Sequence, residues 1–136
     1  MIQPLDQSII ELLNASLDDE ETLGLPVNDR VFGWHAQQAI EKLMKALIGG
    51  HAERYKYAHD LAELNRHLQA LGETLPFPLQ VVDELTSYAG VWRYQEPSAI
   101  KPERRLELQQ AVADLRQHVT RRLVALRPGV AWKTLL

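Results

Sequence analysis

The chain contains no cysteine, which rules out disulfides and thiolate metal sites and suits a reducing cytoplasm. No apolar run approaches the roughly 20 residues needed to cross a bilayer. The acidic N-terminal stretch also lacks a basic n-region followed by an apolar h-region, so a cytoplasmic protein with no membrane partner is expected. HExxH, a glycine-rich phosphate loop, a GxSxG elbow and an EF-hand loop are all missing. His51, His67 and His118 are isolated along the chain, and no histidine pair has the i, i+4 spacing of a zinc site. Neither a metal nor a cofactor is expected. Strand-type alternation, internal repeats and low-complexity tracts are absent too, which leaves helical periodicity as the organising signal.

What is present is a set of amphipathic segments within 136 residues, a length suited to one domain with a modest core. Leu5, Ile9, Ile10, Leu12, Leu13 and Leu17 predict a first helix over about residues 5–17, with the acids through Glu21 fraying its end. Gly24 and Pro26 mark a loop, and Asn28 or Asp29 can cap a second helix that stops at Gly49-Gly50. Leu61, Leu64, Leu68 and Leu71 predict a third, with Asp60 in its first turn and Gly72 at its stop. After Pro76 and Pro78, Leu79, Val82, Leu85 and Tyr88 share a face of a fourth helix running to about Ala89. Gly90 to Lys101 breaks the period as an ordered loop, and Pro102 opens a last and longest helix that ends at Pro128-Gly129. The expected fold is all-α, an up-and-down bundle of about five helices over residues 1–127, followed by a tail at 128–136 that carries Trp132.

Net charge is −3, which argues against a general nucleic-acid coat, but the charge is unevenly placed. Residues 1–30 hold seven acids against Arg30 alone, and residues 101–136 hold eight Lys and Arg against three acids. Such asymmetry can steer an anion to one surface, pair the two ends within a bundle or across a dimer, or simply solvate helix faces.

The second helix is the most informative segment. At about 100° per residue, Ala36, Ala39, Ile40, Leu43, Met44, Ala46 and Leu47 fall on one side and Gln37, Gln38, Glu41, Lys42 and Lys45 on the other. His35, Gln38, Lys42 and Lys45 form a donor-rich ridge at the edge of the apolar stripe. The ridge can receive a nucleotide phosphate, or it can be ordinary solvated surface in which Glu41 satisfies Lys45.

The run His35-Ala36-Gln37-Gln38-Ala39, with Glu41-Lys42 and Lys45-Ala46-Leu47, resembles the signature helix of HEPN domains, a family of small helical proteins named for nucleotide binding in higher eukaryotes and prokaryotes. His59-Asp60-Leu61 and Tyr88-Ala89 with Trp92-Arg93-Tyr94 match two further family motifs in order and approximate spacing, so the resemblance runs from about Asp29 to Leu126. It implies a prokaryotic homodimer, a nucleotide or RNA as ligand, and a minimal nucleotidyltransferase as partner in a toxin–antitoxin pair.

Many HEPN toxins resemble metal-independent RNases in which an arginine and a histidine four to six residues apart act on one phosphate. The imidazole moves a proton, and the guanidinium holds the developing charge. Here the aligned arginine is Arg93, and Gln95-Glu96-Pro97-Ser98-Ala99-Ile100 contains no histidine. A literal match at Arg54 and His59 coincides with the family's separate histidine motif, where a capping role suits His59. Arg93 and Tyr94 therefore have two readings. Arg93 bridges an acidic helix face while Tyr94 closes the core, or Arg93 binds a phosphate while Tyr94 or Trp92 stacks on a base. Three functions follow as expectations: a non-catalytic nucleotide- or RNA-binding module, an RNase toxin using Arg93 with a histidine from elsewhere such as His35 or His59, or a protein-interaction scaffold without a ligand.

Overall fold

Apolar periodicity and caps together lay down five helices in the computed structural model, which describes residues 2–55, 60–86, 88 and 99–132. They are α1 (Pro4–Leu23), α2 (Asp29–Gly50), α3 (Leu61–Ala70), α4 (Leu79–Thr86) and α5 (Pro102–Leu126). No strand occurs among the described residues. The predicted caps act as the residue types suggest. Asn28 Oδ1 accepts from the Val31 amide at 2.9 Å and Asp60 Oδ1 from the Ala62 amide at 2.9 Å. Pro102 occupies the first turn of α5, where its missing N–H leaves no hydrogen bond unmade.

The central element is α2, which packs against each of the other four helices, with α1 as its most extensive neighbour. Its alanines allow close approach, and Ala36, Ala39 and Ala46 have no exposed surface. The polar side departs from a solvated face: Gln37, Glu41 and Lys45 are all buried. They tolerate burial because they bond to one another along the helix. Gln37 Nε2 donates to Glu41 Oε1 at 3.1 Å, and Lys45 Nζ to Glu41 Oε2 at 3.2 Å.

Two further expectations are corrected. Helix α1 continues six residues past Leu17 because its acids have partners: Asp19 and Leu23 are buried, Asp19 meets His35 and Lys42, and Glu20 meets Arg116. Leu79, placed by period on one face with Val82, Leu85 and Tyr88, is 53% exposed while the other three are buried. It is the first residue of α4, at the edge of what the neighbouring elements cover.

The charge asymmetry resolves within one chain. Arg127 pairs with Asp6, Arg116 with Glu20 at 2.9 Å, and Arg105 with Asp29 at 2.9 Å. The order of these pairs runs antiparallel along the sequence, so they fix how the two ends of the chain register. Among the described residues, no helix is long and apolar enough to cross a membrane.

Candidate functional site

The ridge read from α2 divides into two hydrogen-bonded groups. His35 Nδ1 lies 2.7 Å from Asp19 Oδ1 and Lys42 Nζ 2.5 Å from Asp19 Oδ2, so one buried carboxylate of α1 receives both. Gln38 Nε2 donates to Gln37 Oε1 at 2.7 Å, joining the Gln37–Glu41–Lys45 chain, and Lys45 Nζ stands 5.1 Å from the Tyr55 ring centroid. Arg54 is exposed beyond the end of α2 and shares no hydrogen bond with either group. Arg93, Tyr94 and His59 lie outside the described residues.

Both flanks of residues 89–98 are anchored on the start of α2. On one flank Tyr88 is buried with its ring against Gly33, so close that a methyl on Gly33 would sit 2.3 Å from the ring. On the other flank the Ile100 amide donates to Asp29 Oδ2 at 3.0 Å. Arg105 braces this joint by donating to Asp29 Oδ1 at 2.9 Å and to the Val27 carbonyl at 2.6 Å while its guanidinium covers the Phe32 ring. The Ile100 amide, helped by Arg105 against the opposing pull of burial, holds the Asp29 carboxyl below its usual range. Asp29 and Gly33 are one helical turn apart and share a face, so the two anchors sit side by side.

A second cluster was not legible along the chain. Gly72, at φ +85°, closes α3 in a Schellman turn, with the Glu73 amide donating to the Leu68 carbonyl at 2.9 Å and the Gly72 amide to Gln69 at 3.0 Å. This reversal sends the Glu73 side chain inward, where it is 5% exposed. There Arg122 of α5 donates to both carboxylate oxygens at 3.0–3.1 Å, and His51 Nε2 lies 2.7 Å from Oε2. His118 Nε2 stands 4.0 Å from Oε1, buried and with no hydrogen-bond partner among the described residues. Two histidines that looked isolated thus meet one carboxylate. Burial by itself pushes Glu73 up, but the bonds from Arg122 and His51 outweigh it and hold the carboxyl below its usual range. Burial pushes His118 down, with Arg121 and Arg122 adding to the shift against the pull of Glu73. Among the described residues, no group of three His, Cys, Asp or Glu is placed to hold a metal.

The His118 shift predicts a pH dependence. A histidine depressed in the folded state binds its proton more readily when unfolded, so stability falls as pH drops below the ordinary 6.5. Glu73 acts the same way but only below the ordinary 4.5. His118→Leu is therefore expected to flatten the decline of Tm between about pH 7 and pH 5, measured by thermal melts in one buffer series. An unchanged slope would remove His118 as its source.

These features define an all-α bundle domain built around one central helix that anchors a connecting segment at its first turn. The chain belongs to the HEPN family, whose domain model matches residues 30–121. The match takes in α2 from its second residue on, Gly33, Tyr88 and Ile100, and most of α5. No curated protein matches the chain significantly, and no solved structure does.

Proposed function

We propose that this HEPN protein is a non-catalytic nucleotide- or RNA-binding module that acts as a homodimer and pairs with a minimal nucleotidyltransferase in a prokaryotic toxin–antitoxin system. The reading rests on family membership over residues 30–121, together with the lack of a histidine from Gln95 to Ile100 after Arg93. In this reading Arg93 holds a phosphate and Tyr94 stacks on a base. The anchoring of Tyr88 and Ile100 on one turn of α2 supports it, because a bound group is recognised best from a rigid base. The cations of the α2 ridge contribute less, since Lys42 and Lys45 are engaged by Asp19 and Glu41. His35 turns toward α1, two residues and about 200° around α2 from the Gly33 face. Because His35 is already held by Asp19, binding is favoured over a cleavage that uses His35 as its base.

The test is labelled single-stranded RNA incubated without metal with wild type and Arg93→Ala, run on denaturing and native gels. Wild type is expected to shift intact RNA, and the variant to bind at least about tenfold more weakly at equal Tm, the effect of losing one charged phosphate contact. Cleavage lost in the variant would replace this reading with an RNase, and no shift in either would replace it with protein pairing. A purified chain that sediments as a monomer would remove the dimer.

A further inference from the structure

Between the end of α3 and the start of α4 lies a half-open cavity of about 110 Å³ lined by Asn65, Gln69, Glu73, Thr74, Phe77 and Leu79. Its inner wall has an unusual residue. Leu61, Leu64, Asn65 and Leu68 are the buried face of α3, so Asn65 stands where the period has room for an apolar side chain. Asn65 is only 5% exposed, and no described residue hydrogen-bonds its amide. The part of Asn65 that stays accessible therefore includes its amide, which an incoming group can pair with without displacing a protein partner.

Glu73, also on the lining, keeps part of its accepting capacity. Three of the four donor contacts it receives from Arg122 and His51 fall on Oε2, and Oε1 takes only the Arg122 Nε. Because those partners already balance the carboxylate, the wall attracts neither a cation nor an anion strongly. Phe77 adds an aromatic face, and Gln69, one turn along α3 from Asn65, adds a second amide at the mouth. The volume sets the size: an apolar cavity of about 150 Å³ encloses a benzene ring, so this smaller open one admits the edge of a single ring.

We propose that the cavity binds a small, neutral, planar group carrying a hydrogen-bond donor beside an acceptor, as a nucleobase or a carboxamide does. Asn65 pairs with that edge through its own donor and acceptor, as asparagine does with adenine. Oε1 of Glu73 takes a second donor, and Phe77 lies along the ring. The site uses no residue of the Arg93 segment and stands independently of the binding function proposed above.

The experiment titrates the ¹⁵N-labelled full chain with adenosine, cytidine, uridine and nicotinamide to about 10 mM, well above the ~1 mM Kd expected of so small a contact. The readout is the Asn65 side-chain amide signal. At least one probe is expected to shift it saturably, equally in wild type and Arg93→Ala. Asn65→Leu, which suits the apolar face of α3, is expected to bind at least about tenfold more weakly, judged from backbone signals around Phe77, with Tm undiminished. Gln69→Ala, exposed at the mouth, serves as a second variant and is expected to weaken binding. Response to nucleosides alone assigns the nucleobase, and response to nicotinamide alone the carboxamide. No saturable shift with any probe, or equal binding by Asn65→Leu, would overturn the site and leave ordered water as its only occupant.

Discussion

Trp132→Ala is expected to lower stability by ~3–5 kcal/mol, the usual result of truncating a fully buried large aromatic, or roughly 10–20 °C of Tm at this chain length. Trp132 is 1% exposed and belongs to the main core. It reaches that core because the chain turns at Pro128-Gly129, with Gly129 at φ +94°. Its indole Nε1 then donates to the Arg127 carbonyl at 2.8 Å, just past the end of α5. Arg127 in turn pairs with Asp6 at the start of α1. The segment after α5 is thus tied to the end of the bundle where α1 begins and α5 finishes. Trp132→Phe keeps most of the apolar volume and loses the indole bond, so it is expected to cost about 1 kcal/mol. Urea melts of the three proteins check both figures. A loss below about 1 kcal/mol for Trp132→Ala would mean that the tail only rests on the bundle.

The second large effect is at Gly33. Three atoms of the Tyr88 ring lie within 2.3–2.6 Å of where a Cβ would be. Helix propensity alone favours alanine over glycine by ~1 kcal/mol, so a surface glycine in the middle of α2 would gain from the change. Here overpacking reverses the sign, because the ring is itself buried and has no free direction to move. Gly33→Ala is expected to lose about 1–3 kcal/mol. Tyr88→Leu should relieve the clash, making the double variant more stable than the sum of the single losses requires, with a coupling of ~1 kcal/mol or more. Additive losses in a double-mutant cycle would show that the contact is not the cause. Because Tyr88 flanks residues 89–98, Gly33→Ala is also expected to weaken RNA binding in the assay that tests Arg93.

Most of the fold was legible because it is written locally. The apolar period of α2, the caps Asn28 and Asp60, the stop at Gly72 and the start at Pro102 each depend on residues within a few positions of one another, and all five helices appear where these signals lie. The end of α1 was misjudged for a reason outside its own sequence. A run of acids reads as a fraying terminus until His35, Lys42 and Arg116 are seen to meet it. Leu79 carries the opposite error, since a period says which residues share a face and not whether a neighbour covers it.

For the candidate site, the sequence could propose Arg93 and show that Gln95 to Ile100 hold no histidine, and it could name the donors on α2. It could not say that Asp19, up to 23 positions away, already receives two of them. Nor could it bring His51, Glu73, His118 and Arg122 together, since Glu73 and Arg122 are 49 positions apart. Side-chain type and spacing determine helices, caps and the family pattern, because those interactions are short in sequence. Which polar groups are buried, which cations remain available to a ligand and where an unpartnered amide opens on a cavity are decided by the tertiary structure. Those properties depend on what each surface packs against, and packing joins residues that the chain keeps far apart.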